Sequence, residues 1–165
     1  MNIKFLSSWL RCDILKPDHV QDIFHLCKSN PQYYVYCPPQ VTVESILEDM
    51  KGLPPGKTYE DKYYIGFWDD QKLVAVMDLI LYYPDKETAY IGFFMVDQCY
   101  QGKGIGSRVI NDVFMNLKQS FKYVRLGFVK GNSQAEHFWL KNGFKQSGPV
   151  VSQDLYDIVV VQREL

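Results

Sequence analysis

The residues best suited to chemistry form one short run, Gln101-Gly102-Lys103-Gly104-Ile105-Gly106-Ser107. A stretch rich in β-branched and aromatic residues precedes it and an amphipathic pattern follows, so a strand leads into the turn and a helix leaves it. Several backbone N–H groups and the positive end of that helix then converge on one point, an anion site suited to a pyrophosphate. Gly102, Gly104 and Gly106 allow close approach and positive φ, while Lys103 and Ser107 offer a charge and a hydroxyl. A dinucleotide fingerprint would need glycine or alanine where Ser107 stands, and an acid at the end of the next strand, which instead reads Val129-Lys130-Gly131. A second glycine segment, from Gly52 to Thr58, has three residues between its glycines where a P-loop has four. Its Pro54 and Pro55 also lack the N–H groups that would hold phosphate, so it reads as a surface loop bordering a pocket.

The carboxylate that stands out is Asp78, alone in the otherwise apolar run from Leu73 to Leu81. A strand this apolar seldom tolerates an unpaired charge, so Asp78 either faces a polar pocket or is tied into a structural network. Alternation puts it on the face of Val74, Val76 and Ile80. In an open pocket it would bind an incoming ammonium and relay its proton, directly or through water. Asp97 and Glu87 read as strand-end and turn residues. The cysteines at 12, 27, 37 and 99 form no C-x-x-C pair and no Cys/His cluster of zinc spacing, so no metal is expected. They read as packing thiols.

These groups must be positioned by the elements around them. Pro17 opens a helical pattern with Val20, Ile23, Phe24 and Cys27 on one face, and Thr42–Lys51 gives a second, weaker one. The runs Tyr63–Trp68, Leu73–Tyr82 and Thr88–Val96 read as strands of an antiparallel meander with turns between them. A helix follows the glycine run, carrying Val109, Ile110, Val113, Phe114 and Leu117 on one face, and Tyr123–Val129 reads as a strand. Ser133 and Glu136 have capping-box spacing, and Gly143 falls where a helix C′ glycine belongs. Phe144–Gln146 and Tyr156–Gln162 close the chain as strands. The predicted architecture is mixed α/β: a mostly antiparallel, twisted sheet flanked by helices, with one crossover over 88–129 that makes its two strands parallel.

Composition narrows the classes of function. The 165 residues fit one domain over 1–165 and are enough for a real core. Hydrophobic residues make up 47% and aromatic residues 15%, which excludes disorder. The formal charge of −1 gives no global field for nucleic acid or for an anionic membrane. No apolar run is long enough for a membrane span, and Ser7, Ser8 and Arg11 break any secretory segment, so the expected setting is cytoplasmic.

The Q-x-x-G-x-G pattern at Gln101–Gly106, between a strand and an amphipathic helix, resembles the acetyl-coenzyme A motif of the GNAT superfamily of N-acetyltransferases. Asn132-x-x-Ala135-x-x-Phe138-Trp139-x-Lys141-x-Gly143-Phe144 resembles the second block of that superfamily, at the expected distance downstream. The ordered pair covers residues 88–146, and from Tyr63 onward the chain is also similar to a group of uncharacterised bacterial members. The resemblance implies a GNAT fold whose two parallel strands splay to admit pantetheine. It implies that Met95 and Val96 backbone groups pair with that arm. The backbone from Gln101 to Ser107, through Gly102, Lys103, Gly104, Ile105 and Gly106, would hold the pyrophosphate. Asn132 would lie beside pantetheine, Lys141 near phosphate, and Phe138 in the core with an edge on the pocket.

Many superfamily enzymes carry, at the place of Trp139, a tyrosine that protonates the departing thiolate. An indole N–H donates a hydrogen bond but is no acid near neutral pH. Trp139 therefore reads as a wall against pantetheine or as a hydrogen-bond donor in catalysis, with Tyr100, Tyr156 and His137 open as the acid. The reaction implied is direct transfer of acetyl from acetyl-coenzyme A to a primary amine of a small molecule, in a ternary complex, by a monomer or homodimer. The alternatives are a coenzyme A-binding sensor or scaffold without turnover, and acetylation of a protein amine.

Overall fold

The computed structural model describes residues 2–165. Its frame is an eight-stranded sheet. Strand β1 (Arg11–Ile14) is followed by helices α1 (Val20–Lys28), α2 (Pro31–Tyr36) and α3 (Val43–Lys51). The meander comes next: β2 (Lys62–Asp69), β3 (Lys72–Leu81) and β4 (Thr88–Val96). Then α4 (Ile105–Leu117) leads to β5 (Tyr123–Val129), and α5 (Ser133–Lys141) to β6 (Lys145–Gln146), β7 (Val151–Ser152) and β8 (Asp157–Glu164). The order is β1-β2-β3-β4-β5-β8-β6, with β7 on β8, and β4–β5 is the parallel pair that the crossover through α4 requires.

Local chemistry sets most of the boundaries. Thr42 caps α3: its hydroxyl accepts from the Ser45 N–H at 3.1 Å and Ser45 answers on the Thr42 N–H. At α5 the structure corrects the capping residue. Asn132, one position before Ser133, accepts from the Ala135 N–H at 3.0 Å, and Ser133 is already helical. Asn and Ser are equally good caps, and the spacing of Ser133 and Glu136 concealed this. Gly143 ends the helix at φ +86° as expected. The short elements β1, α2 and β7 have no periodicity long enough to be read in advance.

Two apolar clusters sandwich the sheet. Val109, Ile110, Val113, Phe114 and Leu117 of α4 pack on one face against Met77, Leu79, Ile91, Leu126 and Val161. Ile23, Leu26 and Ile46 from α1 and α3 pack on the other against Tyr64, Val76 and Met95. Strand β3 is covered on both sides, so its alternation vanishes and it reads as a continuous apolar run. Each fully buried Leu, Ile or Phe contributes about 1.5–3 kcal/mol. The first helices cover β2 and β3 and leave open the same face of β4, β5 and β8. That open face is where the cavity lies.

Candidate active site

Pairing between β4 and β5 runs from Thr88–Tyr123 to Ile91–Leu126 and stops there. Beyond it the strands part around a cavity of about 1040 Å³ that reaches from the N-terminus of α4 to the open face of the sheet. A register shift after Asp78 leaves Gly92 as the extra residue on β4. The Asp97 N–H donates to the Val74 carbonyl at 2.9 Å. The antiparallel alternation from that bond turns the N–H and C=O of Met95 toward β3, and those of Phe94 and Val96 toward the cleft. The Met95 backbone, expected at the cleft, therefore faces β3, and Phe94 presents its backbone to the cleft in its place. Val96 offers its N–H alone, because its carbonyl already accepts from Gln101 Nε2 at 2.8 Å and Asn30 Nδ2 at 3.1 Å.

The glycine run forms the turn before α4 that its sequence suggests, with a narrower set of free backbone groups. Gly102 and Gly104 sit at φ +72° and +77°, where a side chain is strained although there is room for a Cβ. The first bond of α4 joins the Arg108 N–H to the Gly104 carbonyl, so the N–H groups of Ile105, Gly106 and Ser107 have no partner within the helix. Gly106 packs closely: a Cβ there would meet Phe138 Cε2 at 3.1 Å, and the ring would have to give way. Two residues are corrected. The Gln101 N–H donates to the Gln98 carbonyl and is not free for an anion. The Lys103 ammonium donates to the Cys99 carbonyl at 2.8 Å, away from the cavity.

Gln101 instead acts through its side chain. Nε2 bonds the Val96 carbonyl and Asn30 Oδ1, and Oε1 accepts from Gln134 Nε2 at 3.0 Å. Asn132 lines the cavity while capping α5, and Lys141 lies 5.8 Å over the Phe138 ring. Phe138 stacks on Phe94 at 5.9 Å, both core and cavity wall. Trp139 packs against Phe94, Phe138 and Phe144, and its indole N–H donates to no protein acceptor among the described residues. Of the three candidates for the acid, Tyr156 and His137 line the cavity and Tyr100 does not; it packs under the Lys72 ammonium.

Asp78 lies against the cavity wall, just behind it. Its Oδ2 accepts from Lys62 Nζ at 2.7 Å, with the Lys62 side chain 4% exposed. Its Oδ1 is buried without a partner. Oδ2 also lies 2.9 Å from where a Cβ on Gly92 would be, so this glycine is the thinnest part of the wall. Burial pushes the Asp78 carboxyl up, more than Lys62 pulls it down. Asp97 and Glu87 are structural as read: one accepts from the Cys99 N–H, the other pairs with Lys122.

Some residues of the site gave no signal in the sequence. Tyr33 and Cys37 from the α2 region, Tyr83 before β4, Tyr90 on β4 and Arg125 on β5 all line the cavity. The Cys37 thiol faces Tyr33 and Tyr156, and this interaction, with burial, pushes the Tyr156 phenol up to about 12. Only Cys12 and Cys27 are buried; Cys37 is half-buried and Cys99 exposed, which corrects their reading as packing thiols.

The family profile described as acetyltransferase (GNAT) family matches residues 20–144, three quarters of the sequence. The chain belongs to the GNAT acetyltransferase family. It is thus an acyltransferase with acetyl-coenzyme A as the typical co-substrate and an amine as acceptor. Among solved structures it is similar to an acetyltransferase from Thermus thermophilus, 18% identical at a TM-score of 0.77, over 94% of this chain and 97% of that one. PaiA N-acetyltransferase from Thermoplasma acidophilum, solved in complex with coenzyme A, is 16% identical at 0.67, over 94% and 99%. The ribosomal-protein-alanine N-acetyltransferase of Escherichia coli is 12% identical at 0.66, over 94% and 93%. At these identities the likeness is one of fold. A comparison with curated proteins gives no match. No helix among the described residues is long and apolar enough to cross a membrane.

Proposed function

We propose that the chain, acting as one acetyltransferase domain, transfers acetyl from acetyl-coenzyme A directly to a primary amine of a small molecule. The observation that carries this reading is the continuity of the cavity. One space joins the free N–H groups of α4, the unpaired Phe94–Val96 edge and the tyrosines of the open face, so donor and acceptor can meet without a covalent relay.

The residues fit the co-substrate. Ile105, Gly106 and Ser107 present three N–H groups to a pyrophosphate, and Lys141 adds a charge. Phe94 and Val96 offer ladder groups to pantetheine, and an N–H on this edge polarises the thioester carbonyl. Trp139 serves as a wall, and its indole N–H as a donor toward the sulfur. Tyr156, a neutral donor at physiological pH, protonates the departing thiolate. An alkyl amine near pKa 10.4 must lose a proton at a cost of about 4.6 kcal/mol at pH 7. Asp78 takes that proton through water past Gly92, at the Oδ2 that also accepts from Lys62. The closure of the acceptor end by Tyr33, Cys37 and Tyr156 favours a small acceptor over a protein segment.

Thiol release from acetyl-coenzyme A with a panel of small amines tests the proposal, together with calorimetric binding of coenzyme A. Release with small amines supports it. Acetylation of protein amines alone would replace the small-molecule reading, and coenzyme A binding without release would indicate a sensor.

A further inference from the structure

The cavity contains a cation that the transfer reaction does not use. Alternation along β5 sends Val124, Leu126 and Phe128 into the core and turns Arg125 and Gly127 to the open face. There Arg125 lies opposite Tyr90 on β4 and Gln162 on β8, half-buried. Gln162 Oε1 accepts from Arg125 Nε at 2.8 Å and from Nη2 at 2.6 Å. Two of the five guanidinium N–H donors are thereby fixed, and the plane of the fork with them. The Nη1 edge has no protein partner, and none of the ion pairs among the described residues includes Arg125.

A half-buried guanidinium bonded to the neutral Gln162 has lost hydration without a counter-charge in return. The rest of the lining sharpens the point. Among the described residues none of the lining side chains is Asp or Glu, and the Tyr83 and Tyr90 rings meet edge to face at 5.4 Å beside the guanidinium. Burial keeps the Tyr90 phenol neutral, a donor and not an anion. This end of the cavity is therefore built to receive negative charge, and a planar fork suits a carboxylate. Position sets the reach. Arg125 sits one rung before the last β4–β5 pair, so its Cα is about 7 Å along the strand from Gly127, where the cleft is open, at ~3.3 Å per residue. An amine at the cleft and an anion on Arg125 are then only a few bonds apart.

We propose that Arg125 binds the carboxylate of the acceptor, which is an amino acid or a close zwitterionic analogue. This rests on the N-acetyltransferase reading and specifies its substrate class. The test measures thiol release from acetyl-coenzyme A with amino acids, their matched carboxamides and 1,4-diaminobutane. Expected is a kcat/KM at least about 30-fold higher for the best acid than for its amide. Arg125→Gln should pull that ratio toward one, chiefly through KM, and Arg125→Lys, which keeps charge without the fork, should fall between. Coenzyme A binding by calorimetry shows that each variant is folded. Amides or the diamine matching or exceeding the acids in the parent protein would overturn the proposal and leave the transferase reading intact. Release with no amine at all, from protein that binds coenzyme A, would overturn both.

Discussion

Asp78 has two roles to separate, and its ion pair with Lys62 makes the separation possible. Both side chains are almost fully buried, so Asp78→Asn leaves an ammonium without its counter-charge. Breaking a buried pair from one side costs about 3–5 kcal/mol. In a chain of this length each kcal/mol moves Tm by roughly 2–4 °C, so loss of the pair alone would lower the melting point by about 6–20 °C, and relief of the buried carboxylate charge offsets part of that fall. Replacing both partners, Lys62→Met with Asp78→Leu, removes the unpaired charge and the orphaned Oδ1 together and should be neutral or stabilising. Because burial raises the Asp78 carboxyl above its unfolded value, the stability this group lends is full below about pH 3.9 and is lost as pH rises through the folded-state pKa. The apolar double variant should lose that slope. Turnover in this well-folded variant then isolates the chemistry: a fall of roughly 10²–10⁴ with unchanged coenzyme A affinity marks a proton relay. Thermal melts across pH and thiol-release rates provide both readings. Full turnover in the double variant would refute the relay and leave Asp78 a structural residue. An Asp78→Asn variant melting above the parent would refute the electrostatic argument.

Gly104→Val should weaken acetyl-coenzyme A at least about tenfold by calorimetry, because a β-branched residue at φ +77° distorts the turn that aims the α4 N–H groups. Gly92→Ala should lower stability measurably in urea melts and slow turnover, since the new methyl would sit 2.9 Å from Asp78 Oδ2 and close the path between them. Trp139→Phe should keep most activity in a steady-state assay; a loss beyond about a hundredfold would give the indole N–H a chemical role. Tyr156→Phe should reduce kcat by about 10–100-fold with little change in coenzyme A affinity, and retention of full kcat would move the acid elsewhere.

Chemistry that depends on backbone was the part of this site most legible in the sequence. Glycines at 102, 104 and 106 announce a turn before a helix whatever surrounds them, and the position of Asn132 and Phe138 downstream orders the second block. The strand Thr88–Val96 could be read to the residue because its flanking turns are unambiguous. What remained hidden depends on tertiary neighbours. Asp78 was evident as an anomaly, yet its partner Lys62 lies sixteen residues away, and the bulge at Gly92 that brings the carboxylate to the wall has no sequence mark. Which of Met95 and Phe94 turns its backbone to the cleft is a matter of ladder phase, set by a single bond between Asp97 and Val74. Arg125 sits in a strand as an ordinary exposed charge would, and only the sheet face left uncovered by the first helices gives it a cavity to face.

The bonds that run from Gln134 through Gln101 to Asn30 and the Val96 carbonyl are made by amides alone. None of these groups gains or loses a proton in water between strongly acidic and strongly basic conditions. The Debye screening that weakens exposed ion pairs has little hold on dipole–dipole bonds between partly buried groups. The turn before α4 is consequently held by neutral struts, beside the charged bond from the Lys103 ammonium to the Cys99 carbonyl. The geometry that these amides fix is indifferent to buffer pH and ionic strength, so under the proposed binding mode the salt dependence of coenzyme A affinity would come from the phosphates and the lysines near them, not from these bonds.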